Sequence, residues 1–155
     1  MKHTVFFWLV GIALLSACGR DASSPVTPPP VTVRLFDAAS LARGANHFAE
    51  RCTACHGPEG QGHPDWQRPS DGQFAAAPPL NGSGNDWKRT RAELAAVIKN
   101  GVRRKGDKAV IMPSMQGKLS ERDIEDLLNW MQSLWSAEVY ETWNKAQLAA
   151  TPPPR

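Results

Sequence analysis

The chain has 155 residues, three cysteines, four histidines and a formal charge of +3 at neutral pH. That length suits one domain of ordinary size, and the small bulk charge argues against nucleic-acid binding. Three cysteines are too few for a disulfide framework, so any cysteine chemistry must be local.

At the N-terminus, Met1-Lys2-His3 is a basic lead and Thr4 to Leu14 is an apolar run too short to span a bilayer comfortably. It ends in Leu15-Ser16-Ala17-Cys18, small residues before a cysteine. This resembles the cleavage box of a bacterial lipoprotein; the alternative is an ordinary signal peptide with a coincidental cysteine. The resemblance implies a signal peptide over 1–17, diacylglycerol on Cys18, and a lipid-anchored place in the cell envelope facing the periplasm. Gly19 rather than Asp after the cysteine favours the outer membrane over the inner. Residues 18–36 then form a polar, proline-rich tether. In extended form its proline-rich part would hold a domain about 40 Å from a membrane.

A domain is expected over 37–136, all-α, with few helices and long loops. Leu41, Ala45, Phe48, Ala49 and Cys52 recur at helical spacing and predict a first helix from Asp37. The stretch from Gly57 to Arg89 is rich in proline and glycine. A loop that long is reasonable only if it wraps a large prosthetic group serving as core. Thr90 and Glu93 form a capping box for a second helix with Leu94, Val97 and Ile98 on its apolar face and Gly101 at its stop. Ser120 and Asp123 open a third, whose stripe is Ile124, Leu127, Leu128, Met131, Leu134 and Trp135. No segment shows sustained strand alternation. Residues 137–155 read as a C-terminal helical extension, with Val139, Trp143 and Leu148 loosely in phase and Tyr140 beside Trp143, followed by a frayed tail.

The chemistry sits in Cys52-Thr53-Ala54-Cys55-His56. On one helical turn the two thiols share a face and the imidazole joins them. Thiols so spaced can add across the two vinyl groups of one porphyrin while the imidazole reaches its iron, which makes the motif a c-type haem attachment signature. A zinc site needs a second ligand pair, and neither His47 nor His63 supplies one at zinc spacing. A redox dithiol expects a βαβ setting, which is missing. For the iron's other axial position, Met112 lies on no helical stripe and is followed by Pro113, which stiffens its loop. Met115 and His63 are the competing ligands.

Gly44 and Phe48 precede CTACH at G-x-x-x-F spacing, "APPLNGSG" follows at 77–84, and "MPSMQGKLSERDIEDLLNWMQSLW" occupies 112–135. Together these resemble a monohaem class I c-type cytochrome, over about Asp37 to Trp135. The resemblance implies one haem c held by Cys52 and Cys55 with His56 and Met112 as axial ligands. It also implies a crossing of first and last helices at Gly44, with Phe48 and Trp130 packed there. Pro78 would offer its carbonyl to His56, and Trp87 would lie near the haem propionates.

The expected function is therefore electron transfer and not catalysis: one haem cycling between Fe(II) and Fe(III), serving an oxidase, reductase or dehydrogenase, in a protein read as a monomer. The rival expectation is a haem enzyme or a gas or redox sensor with an open or displaceable distal site.

Overall fold

A computed structural model of the chain describes residues 34, 36–68, 76–106 and 109–150. The signal peptide, Cys18, nearly all of the tether, and the tail beyond 150 lie outside the described residues.

The first helix, α1, spans Ala38–Arg51, and Asp37 caps it by accepting the Ser40 N–H at 2.8 Å. A four-residue turn of helix, α2 (Thr53–His56), follows directly. After a long irregular segment comes a 3-10 turn at Asp86–Lys88, then α3 (Arg91–Asn100). Two short antiparallel strands, β1 (Val102–Arg103) and β2 (Val110–Met112), separate α3 from α4 (Glu121–Ser133), and α5 (Ala137–Ala150) closes the described chain. The all-α expectation holds, with one addition. The β1–β2 ribbon is invisible in the sequence because strands of two and three residues are too short to display a period of two.

Helix α1 packs chiefly on α4. The buried line on α1 is Ser40, Gly44 and Phe48, rotated from the expected stripe: Phe48 is shared, Leu41, Ala45 and Cys52 are half-buried, and Ala49 is exposed. Gly44 explains the rotation. A Cβ there would sit 2.1 Å from the Asp126 carbonyl oxygen and 2.8 Å from Trp130 Cβ, so only glycine lets the two backbones meet. One turn on, the Phe48 and Trp130 rings stack at 4.3 Å. The crossing is also polar: Asp126 accepts from Ser40 Oγ and from Arg43 at 2.6 and 3.1 Å. These bonds, led by Arg43, hold its carboxyl below the usual carboxylate range.

Both capping boxes form as the sequence implies, Thr90 with Glu93 and Ser120 with Asp123. Leu94 and Ile98 of α3 meet Ile124, Leu127, Leu128 and Met131 of α4 in one core. Helix α4 ends at Ser133, where i→i−3 bonds tighten the last turn, so Leu134 turns outward while Trp135 is buried. Helix α5 returns to the domain through Trp143, which packs edge-on to Trp135 at 5.7 Å and donates its indole N–H to the Arg89 carbonyl at 2.9 Å. Leu148 is left exposed.

Candidate functional site

Beneath these helices lies a cavity of about 590 Å³, within the range of cofactor and small-molecule sites. Its walls bring together Cys52, Cys55, His56 and Met112. Apolar core residues such as Leu94, Ile98 and Met131 form much of the remaining wall.

The CTACH end is rigid. The Cys55 and His56 N–H groups both donate to the Cys52 carbonyl, at 3.1 and 2.9 Å, so the motif is one closed turn on the end of α1. Both thiols are free, Cys52 half-buried and Cys55 exposed. Burial pushes the Cys52 thiol up to about 11, so the free thiol is protonated at neutral pH. Among the described residues no group of three or more His, Cys, Asp or Glu is placed to hold a metal ion.

His56 is buried, and its Nδ1 lies 2.9 Å from the Pro78 carbonyl oxygen. A carbonyl can only accept, so Nδ1 carries the proton and Nε2 keeps its lone pair. Burial lowers the imidazole pKa below its ordinary value, which keeps the ring neutral at pH 7. A neutral imidazole with one nitrogen anchored and the other free is the form that ligates a metal.

Three backbone bonds place Pro78. Gly62 N–H donates to the His56 carbonyl (2.7 Å), His63 N–H to Ala77 (2.9 Å) and Leu80 N–H to Gly60 (2.7 Å). The loop after CTACH thus lies alongside residues 77–80. Gly62, at φ +70, makes this approach possible; a Cβ there would meet Pro79 N at 2.5 Å.

Met112 is half-buried at the end of β2, where Val102 pairs opposite it. Its loop is fastened to the end of α3: Met115 N–H donates to Ile98, and Gln116 N–H and Ser114 Oγ to Lys99. Those carbonyls have no partner within the helix, so the loop doubles as its cap. Gly101, at φ +70, lets the loop cross α3, since a Cβ there would lie 2.5 Å from the Met112 carbonyl oxygen. Met115 is 6% exposed and belongs to the core cluster while also touching the cavity. His63 lines the cavity from an exposed position.

Trp87 stands apart from the other predicted site residues. It does not line this cavity but a separate cleft with Glu138, Val139 and Thr142 of α5, beneath the Lys88 ammonium. The physical reason is the 3-10 turn, which sends Asp86 inward and Trp87 toward α5. The indole that supports the wall here is Trp135, whose Nε1 donates to the Leu80 carbonyl at 3.1 Å and to Asp86 Oδ2 at 2.9 Å. Asp86 and Arg89 line the cavity and were missed from sequence. Their only signal was a run of polar residues after "NGSG", which reads as an ordinary loop.

The family model for cytochrome c matches residues 41–135. The chain belongs to the cytochrome c family. No curated protein and no solved structure gives a significant match. A cytochrome c domain holds haem covalently and uses it for electron transfer. The cavity fits such a group on its own terms: adjacent free thiols, an anchored neutral imidazole, and a thioether share a largely apolar wall.

Proposed function

We propose that this cytochrome carries one haem c, bound through Cys52 and Cys55, with His56 and Met112 as axial ligands, and acts as a membrane-tethered electron carrier. The observation that carries the reading is the His56–Pro78 contact at 2.9 Å, which leaves Nε2 as a lone-pair donor in the cavity that Met112 also lines. Bound haem supplies a one-electron Fe(III)/Fe(II) couple, and a thioether ligand raises its potential.

The protein's own residues orient and exclude. Pro78 fixes the tautomer and the rotation of His56. The bonds from Ser114, Met115 and Gln116 to the α3 carbonyls hold the Met112 loop in place. Leu94, Ile98, Leu127 and Met131 keep water from the apolar wall, which favours the less charged state of the bound centre. With His56 and Met112 both holding the bound iron, the centre would have no open position for a substrate, which suits electron transfer.

Lipidation of Cys18 would secure the chain at the periplasmic face of a membrane, the outer one by the residue at 19. Residues 18–36 would let the domain, as a monomer, reach an oxidase, a reductase or a dehydrogenase. Among the described residues no helix is long and apolar enough to cross a membrane.

Optical spectra of the purified protein in both oxidation states, with CO added to the reduced form, test the reading. We expect a sharp reduced α-band of c-type position and no CO response. A high-spin spectrum or rapid CO binding would contradict it and favour an open distal site.

A further inference from the structure

Asp86 is a buried acid with no role in the ligation just described. It is 6% exposed, lies on the cavity wall, and shares that wall with Asn85 and Arg89. Its Oδ2 accepts the Trp135 indole N–H at 2.9 Å. Its Oδ1 is buried and receives no well-formed hydrogen bond, although the backbone N–H groups of Gly82, Asp86 and Trp87 lie nearby. A buried carboxyl oxygen left without a partner is costly and calls for one.

Haem brings two carboxylates of its own. A haem held through Cys52 and Cys55 would turn its carboxylates toward a different part of the wall. Residues 85–89 supply suitable chemistry there: an amide, an acid and a guanidinium. The segment is braced from outside, because Trp143 of α5 holds the Arg89 carbonyl and Trp135 holds Asp86. An ionised Asp86 would repel a neighbouring carboxylate, but a protonated one donates to it. Two carboxyl groups in contact then share one proton.

We propose that Asp86, positioned by Trp135, shares a proton with a carboxylate of the bound haem, and that reduction of the iron draws a proton onto this pair. The inference rests on the electron-carrier reading. One electron arrives from the redox partner, one proton arrives from water, and no bond of the haem or the chain is cleaved apart from O–H exchange. Reduction removes a positive charge from the iron, which makes the nearby acid pair more basic. Asp86 thus becomes a positioning residue that links potential to pH.

The surroundings suit this assignment. Burial is the main influence on Asp86 and raises its pKa, so the proton is held above the usual carboxylate range. Among the described residues, the other titratable or charged side chains on the cavity wall are Arg51, Cys52, Cys55, His56, His63 and Arg89. From α5, packed behind the turn, Glu138 faces Trp87 in the separate cleft. On the Trp135 side the indole meets Asp86, and the Arg34 guanidinium donates to the Trp135 carbonyl at 2.6 Å.

The test is a potentiometric titration of the haem-loaded full chain as a function of pH, on wild type, Asp86→Asn and Trp135→Phe. Infrared difference spectra of oxidised and reduced wild type accompany it. In wild type the potential should fall as pH rises through a window above the ordinary Asp value. Full coupling of one proton per electron is a tenfold change per pH unit, about 59 mV for a one-electron couple. Asp86→Asn should lose the slope in that window. Trp135→Phe, which removes a bond favouring the carboxylate, should move the window to higher pH. The infrared spectra should show a protonated-carboxyl band that grows on reduction, a readout that stands even where a variant folds poorly. A flat wild-type profile, or an Asp86→Asn slope as steep as wild type, would overturn the inference. The optical spectrum of each sample separates the two readings. A flat wild-type profile with axial ligation intact sinks this inference alone, and an open sixth position with the wild-type slope present sinks the ligation reading alone.

Discussion

The α1–α4 crossing and the cavity wall are built on opposite logics. At the crossing, protein meets protein with nothing between: Gly44 lies against the Asp126 backbone, Phe48 against Trp130, and Ser40 and Arg43 against the Asp126 carboxylate. At the cavity, the same chain arranges loops around a volume of about 590 Å³ and places glycines where those loops cross other backbone. The first region stores stability, and the second stores geometry for a group supplied from outside. Substitutions should therefore separate into those that unfold the domain and those that change the bound centre.

The largest effect should come from Gly44→Val. A side chain cannot enter a gap where even Cβ would lie 2.1 Å from a backbone oxygen. We expect a loss of at least about 3 kcal/mol by denaturant unfolding, the upper end for overpacking. Near-normal stability would mean that the two helices do not cross here. Met115→Ala should rank next, costing about 2–5 kcal/mol as a buried large-to-small change, while the methionine–iron band survives.

Gly101→Ala tests the join between the regions. The positive φ and the contact with the Met112 carbonyl should together cost about 1–3 kcal/mol, with partial loss of the methionine band as the loop shifts. A stable variant with an intact band would show that the loop is not held by this crossing.

These effects bear on how much could be read from the sequence. Capping boxes and the CTACH turn were legible because each depends on residues close in sequence, whereas the Gly44 crossing was implied only by the family resemblance. The β1–β2 ribbon was not legible, being too short for a period. The rotation of the α1 stripe followed from a partner helix, which no single helix pattern contains. Asp86 and Trp135 were hidden for the same reason: an acid becomes part of a cavity wall only when a tryptophan 49 positions away reaches it.

The smallest expected effect is acid dependence. The carboxyls of Asp126, Asp123 and Glu93 all lie below their ordinary values in the fold, held by bonds from Arg43, Ser120 and Thr90 respectively. A depressed folded-state pKa gives stability that is present above the unfolded value and is lost as pH falls through the folded one. Asp86 has the opposite sign, since its raised pKa favours folding at lower pH and that gain is lost as pH rises. Thermal melts should therefore show a shallow decline below about pH 4. A steep decline between pH 5 and 7 would mean that another group dominates.

The division between the two methionines is the most direct point of contact between structure and function. Met112 lines the cavity half-buried on a pinned loop, and Met115, three residues later, lines it from within the buried core. The decisive measurement is the weak charge-transfer band of methionine-bound Fe(III), recorded on oxidised wild type, Met112→Ala and Met115→Ala at equal haem content. We expect the band in wild type and in Met115→Ala, and its loss in Met112→Ala. A band that persists without Met112, or vanishes without Met115, would contradict the ligation on which the electron-carrier reading stands.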